Sequence, residues 1–409
     1  MKVRVFSLLL IVFIVYFSIL WHDFLYEWDD HWVVINKYTD AGLNVRNIWA
    51  VFTEFHQGQY APFNELSYML IHTIFGYNPM AFHGASILWH GINVVLVFLF
   101  LNRLLRTALN ESLKFLSVNM AWLCALLWAV HPVNVEPVAW ISASKILVYA
   151  SFYLSALFLY TYYIEQPSIG RYIGLLILFI FSFFGKEQAV VLPLAFLSVD
   201  YVFRRERGIF FLLVEKAPFF IFSVFFGVLT IISQGNGNGL PNYVVWNRLL
   251  FCCYSIYEYL VKTILPINLI YLYPFPITPG GKMLPTMYVY PLLVLAAVYV
   301  VYLLRKNRIL IFCLLFFVIH LLVTLHIISI SRFAIVADRY NYIAMIGPLL
   351  LISYYLCFWH QKNKVMTCFA FVGYFLYFCI YTLIYKQKWD TSEHVKRHVV
   401  ELIEYQKKF

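Results

Sequence analysis

Apolar residues in this chain come in long unbroken runs, not at the alternating spacing of a strand or the three-to-four spacing of a surface helix. The runs fall near 5–21, 84–103, 117–131, 145–163, 172–185, 188–203, 217–233, 288–304, 309–330, 341–359 and 365–385. Most run roughly 16–22 residues, long enough to cross the hydrocarbon, and two are short enough to be tilted or half-buried in a bundle. A further apolar stretch, 248–266, carries Arg248, Glu258 and Lys262 and is expected to be an interfacial helix instead. The pattern predicts an all-α polytopic membrane protein with about 11 transmembrane helices.

The polar segments between the runs set the orientation. Those at 103–116, 204–216, 305–308 and 360–364 are short and rich in Lys and Arg, which places them in the cytoplasm. Lys2 and Arg4 precede the apolar stretch from Val5 to Leu20, and no small-residue cleavage site follows, so the N-terminus reads as an uncleaved signal anchor. Parity then puts the other connections on the exoplasmic side: the long first loop 22–83, then 131–144, the turn at 185–187, 234–287 and 331–340. The expected organisation is a transmembrane catalytic domain over 1–386 and a short exoplasmic tail over 387–409. Within the first loop, 46–56 and 63–76 show helical spacing suited to helices on the membrane surface. The 234–240 segment reads as a flexible loop, and the tail from Asp390 as a short amphipathic helix.

Composition agrees and excludes the alternatives. Of 409 residues, 63% are hydrophobic and 12% charged, against about 45–50% apolar and about 25% charged in a soluble globular protein. A net charge of +10 does not mark a nucleic-acid binder, because the basic residues sit in clusters between apolar runs. The seven cysteines lie mostly inside those runs and make no metal spacing.

Candidate chemistry gathers in the exoplasmic segments. Asp29-Asp30 follows the first span closely, in Trp28-Asp29-Asp30-His31-Trp32. Two adjacent acids there suit general-base work or simply form a solvated loop. His131-Pro132-Val133-Asn134-Val135-Glu136-Pro137 follows the third span, where the prolines fix a rigid turn that holds His131 and Glu136. Gly185-Lys186-Glu187 interrupts a long apolar stretch, so Lys186 either faces an anionic partner or snorkels to the interface. Ala337-Asp338-Arg339-Tyr340, with Arg332 upstream, opens the tenth span; its Asp-Arg pair is either a salt bridge or a source of phosphate-binding guanidinium. His90 with Asn93 reads as interhelical hydrogen bonding.

In order along the chain, these pieces resemble the GT-C superfamily of polyprenyl-phosphate-sugar-dependent glycosyltransferases. They look most like the membrane half of the transmembrane-and-tetratricopeptide-repeat O-mannosyltransferases and their bacterial relatives. The pieces are Asp29-Asp30 with Val33, Val34 and Asn36; Tyr60-Ala61-Pro62-Phe63 running to Leu66-Ser67-Tyr68; and Asn78-Pro79-Met80-Ala81-Phe82-His83 with His90 and Asn93. His131 to Trp140, Lys186, Tyr273-Pro274 and Ala337 to Tyr342 complete the set. No tetratricopeptide array follows the last span, Ala61 precedes the proline, and the segment after Trp140 carries fewer charges than the family's pattern.

The resemblance implies a GT-C-like fold and an inverting transfer of a sugar, mannose or another hexose. The donor would be a polyprenyl phosphate, and the acceptor a hydroxyl on a protein Ser or Thr, a glycan or a lipid. It places the catalytic acid in the first exoplasmic loop, on Asp29 or Asp30, with Glu136 next in line. Lys186, Arg339, Lys145, His131, Tyr60 and Arg332 would bind the donor phosphate and substrate. It implies no cofactor, with a divalent metal as the less favoured alternative, membrane lipids as partners, and a bacterial inner membrane with the active site facing the periplasm. Two competing readings use the same topology: a ligase or polymerase of lipid-linked oligosaccharides, and a lipid or polysaccharide transporter. Against transport, the intramembrane charges form no chain across the midplane.

Overall fold

The computed structural model describes residues 1–234, 243–327 and 334–407. The protein is an all-α membrane bundle. Among the described residues, six helices are long and apolar enough to cross a bilayer: Lys2–Trp21, Pro79–Ala108, Ile141–Glu165, Ile209–Ser233, Pro285–Leu303 and Lys364–Trp389. Leu113–Ala129 and Pro132–Ala139 together are long and apolar enough for one more, as a broken span or a re-entrant loop, and are bent by 53° where Pro132 cannot continue the helix. The remaining expected spans, 172–185, 188–203, 309–330 and 341–359, fall on the shorter helices Ile169–Gly185, Leu192–Val202, Arg308–Leu321 and Ile346–Lys362. The 248–266 stretch is the helix Val245–Ile264, which buries one face through Phe251, Ser255, Tyr259 and Lys262. The predicted loop at 234–240 lies outside the described residues from 235 onward, as does Arg332.

Polar caps start these helices where the sequence turns from loop to apolar run. Asn78 accepts from Met80 N ahead of Pro79, Ser168 from Arg171 N, Asn307 from Ile309 and Leu310 N, and Asn363 from Met366 N. Burial separates centre from periphery: 78% of the Ile141–Glu165 window is buried, against 6% for Pro285–Leu303, which is left to lipid.

The centre is pinned by hydrogen bonds between helices, where lipid cannot compete for the donors. Asn93 Nδ2 donates to Leu147 O at 2.9 Å, and Ser151 Oγ donates to Asn93 Oδ1 at 2.7 Å. Trp128 Nε1 donates to Tyr342 O at 2.8 Å, and His90 Nδ1 bonds Tyr342 Oη at 2.8 Å. One end of the bundle is closed by a buried ion network. Lys216 meets Asp200 at 2.6 Å, Arg205 pairs with Glu215 through both its terminal nitrogens, and Tyr160 donates to Asp200. The cations of the basic 204–216 segment are in this way partly neutralised by acids that flank them in sequence.

The first loop covers the other end. Its helices Val45–Thr53 and Pro62–Phe75 match the stretches expected to be helical, and Asp30–Val33 and Lys37–Ala41 add short turns. Tyr68 Oη ties this cap to the bundle by donating to Ile141 O at 2.7 Å. A two-stranded antiparallel pairing of Tyr273–Pro274 with Ala334–Val336 lies on the same side of the molecule as Asp338. After the last span, Trp389 stacks on Trp140 with centroids 5.7 Å apart, and Asp23 N donates to Asp390 O at 3.0 Å. The tail then forms the helix Ser392–Lys407.

Candidate active site

Five chain segments far apart in sequence meet in one cleft of about 180 Å³ at the capped end of the bundle. Asp29 comes from the first loop, with Gln59 and Tyr60 behind it; Trp140, Ser142 and Lys145 come from the turn after the bent pair. Lys186 and Glu187 come from the break between two helices, Gln234 from the end of Ile209–Ser233, and Arg339 from the start of the tenth expected span. Lys186 and Arg339 therefore converge on one space.

The two adjacent acids separate completely. Asp29 lines the cleft, and its Oδ1 accepts from Trp32 Nε1 at 3.1 Å, which fixes the carboxylate's direction. Asp30 turns inward and is fully buried. Its Oδ2 accepts from Leu25 N at 2.8 Å, and its Oδ1 from Ser142 N at 3.0 Å and from Ser142 Oγ. Burial pushes its carboxyl up to about 6, against the pull of those hydrogen bonds. Asp30 is the peg that fastens the first loop to the Ser142 turn, and by doing so it sets Asp29 at the cleft.

The cations are held in different ways. Arg339 is bound from behind: Glu136 accepts from its backbone N at 2.6 Å and from its Nη1. Its guanidinium carbon lies 4.8 Å from the Tyr340 ring centroid and 5.4 Å from that of Trp140. Glu136 itself is buried and does not line the cleft. The Asp-Arg motif is not a mutual salt bridge. Asp338 turns away and accepts from Tyr273 Oη at 2.9 Å and Tyr385 Oη at 3.3 Å, and burial together with the charge of Glu136 raises its carboxyl. Lys186 pairs with Glu187 at 2.7 Å. Lys145 donates to Gln59 Oε1 at 2.6 Å and forms no ion pair among the described residues.

Backbone form puts Lys186 there. The helix Ile169–Gly185 stops at Gly185, and Lys186 is extended before the chain resumes as a tight turn of helix. Gly185 lies so close to the helix Lys145–Glu165 that an added Cβ would sit 2.7 Å from Tyr149 N. Two predicted residues spend their hydrogen-bonding groups on the backbone. His131 is a buried hinge: its Nδ1 accepts from Val133 N at 3.2 Å and its Nε2 donates to Thr263 O at 2.9 Å. Tyr60 lines the cleft wall but spends its hydroxyl on Phe52 O at 3.0 Å.

Three residues of the arrangement carried no signal of their own in the sequence: Gln59, Ser142 and Glu187 as a counter-charge. Ser142 was accessible only through its place two residues beyond Trp140. Among the described residues, no group of three His, Cys, Asp or Glu side chains has metal-binding geometry.

The site has an aspartate, three cations, one of them paired with Glu187, and an aromatic wall, which can hold a phosphate and orient a hydroxyl beside it. No family model matches the chain, and no solved structure matches it. Among curated proteins, it is similar to the protein O-mannosyl-transferase TMTC1 of Homo sapiens, 27% identical over 152 residues. That stretch is 35% of this chain and 16% of the human protein. It is likewise similar to TMTC1 of Mus musculus, 28% identical over 153 residues, 35% of this chain and 15% of the mouse protein.

Proposed function

We propose that the protein is an integral-membrane glycosyltransferase that moves a hexose, mannose by analogy with the TMTC1 relatives, from a polyprenyl phosphate to a hydroxyl acceptor. The observation that carries this reading is the shared cleft of Asp29, Lys145, Lys186 and Arg339. The donor's phosphate lies against the three cations, which also take up its charge as it leaves. The acceptor hydroxyl gives its proton to the Asp29 carboxylate and attacks the anomeric carbon from the opposite side. One C–O bond forms, the C–O bond to phosphate breaks, and the configuration inverts. Lys145 is the cation best suited to an incoming phosphate, since it forms no ion pair among the described residues. On this reading the short helices complete eleven crossings, the domain runs over 1–386, and the cleft opens to the exoplasmic side, in a bacterium the periplasm. The similarity to a protein O-mannosyl-transferase favours a Ser or Thr hydroxyl as acceptor.

The test is transfer of labelled mannose from polyprenyl-phosphate mannose to a hydroxyl acceptor by the purified full chain, with polyprenyl phosphate released. Asp29→Asn keeps shape and loses the base, so transfer should fall by about 10²–10⁴-fold, while donor binding persists. Lys145→Ala should instead weaken donor binding and leave the pH profile in place. Normal transfer in Asp29→Asn would remove Asp29 from the reaction, and no release from any polyprenyl-phosphate sugar by the parent chain would remove the activity itself.

A further inference from the structure

The end of the bundle opposite the cleft holds a larger cavity that the transfer reaction does not use. The helix Lys2–Trp21 leads directly towards Asp29, and at 1.5 Å per residue its start lies roughly 30 Å from its end. Near that start, a groove of about 920 Å³ opens between the beginnings of Lys2–Tyr16, Ser117–Ala129 and Lys364–Tyr385 and the end of Ile346–Lys362. Its walls include Leu113, Phe115, Trp122 and Phe371, while Arg4, His360 and Lys364 also line it, with no Asp or Glu. Arg4 spends one Nη2 donor on Asn119 Oδ1 at 2.6 Å and keeps the others. Lys364 is exposed and forms no ion pair among the described residues.

We propose that this groove binds an anionic phospholipid of the surrounding bilayer, with an acyl chain along Trp122 and Phe371 and the phosphate at Arg4 and Lys364. The walls belong to membrane helices, so the groove opens at the depth of the hydrocarbon. Cations begin where those helices begin, at the interface, and nothing acidic among the lining residues offsets them. A ligand matched to that pattern is apolar along most of its length and anionic at one end. A neutral lipid would fill the walls and leave the cations unanswered. The inference is independent of the chemistry at the cleft.

Trp122 supplies the probe, since it lines the groove with its indole N–H held by Ser7 Oγ at 3.2 Å. The purified full chain is placed in micelles with rising fractions of brominated phosphatidylglycerol or brominated phosphatidylcholine, and tryptophan quenching is followed. The difference between parent and Trp122→Phe isolates the groove. Phosphatidylglycerol should quench this component saturably and at a lower fraction than phosphatidylcholine. Removing Arg4 and Lys364 together should raise the half-saturating fraction by roughly fivefold per cation. Since Arg4 also helps orient the first helix, Lys364→Gln at its exposed position is measured alone and should cost about fivefold. Equal quenching by the two lipids, or no change in Lys364→Gln, would overturn the proposal and leave the groove to bulk lipid.

Discussion

At the residue scale, the informative contrast is between two neighbours of the same type. Asp29 and Asp30 are indistinguishable by composition or spacing, yet one lines a cleft and the other is enclosed by Leu25 and Ser142. The sequence could point to the pair, but the choice between them depends on Ser142, 112 positions away, and no periodicity carries that information. Asp30→Asn should therefore act on stability more than on chemistry. An amide cannot accept on both sides, so one buried N–H is left facing a donor, at a cost of about 1–3 kcal/mol. The pH dependence gives a second readout. The carboxyl rises from 3.8 to about 6 on folding, so between those values the native state holds more protons than the unfolded one. The stability linked to Asp30 is then fully present below about pH 4 and is lost as pH rises through about 6. Thermal unfolding in detergent across that window should show this slope in the parent and a flatter one in Asp30→Asn. An unchanged midpoint and an unchanged slope would mean that Asp30 does not fasten the loop.

At the element scale, the helices were the most legible part of the chain, because a run of apolar residues bounded by charge has few other solutions in lipid. The break at Gly185-Lys186-Glu187 and the turn at Pro132 were legible for the same reason: each interrupts a run. What periodicity could not show is which breaks meet. Glu136 and Arg339 are 203 positions apart, and their pairing needs the packed bundle. Nor could it show why residue 185 is glycine. The close approach to Tyr149 leaves no room for a Cβ, so Gly185→Ala should push the two helices apart. Overpacking of this kind costs about 1–3 kcal/mol, and because Lys186 follows directly, donor affinity should fall as well. Gly170 is the control, since a Cβ there meets nothing within 4 Å; Gly170→Ala should hold or raise the unfolding midpoint and leave donor affinity unchanged. If Gly185→Ala behaved like Gly170→Ala, close helix packing would not be what positions Lys186.

At the scale of the whole molecule, the two ends of the bundle differ in kind. One end gathers the first loop, the Glu136 turn, the Lys186 break, Arg339 and the tail, and their mutual contacts make them a single surface. Lys396 reaches Glu27 at 2.7 Å, and Trp389 stacks on Trp140. The other end carries the starts of the first and last spans with Arg4 and Lys364. On the proposed orientation that second end faces the cytoplasm, because Lys and Arg close to short connections resist translocation. The structure supplies the grouping of segments, and the charge rule supplies the sign. Single cysteines test both at once, in a background lacking the seven native ones. His31, Glu393, Lys306 and Lys364 are all exposed. Cysteines at 31 and 393 should react together with an impermeant maleimide added outside intact cells, and those at 306 and 364 only after permeabilisation. Reaction of 31 with 364 would break the grouping, and with it the single cleft. Reaction of 306 and 364 alone from outside would keep the grouping and reverse the sign, putting the cleft on the cytoplasmic side, where the lipid-linked donor would have to be met in the inner leaflet.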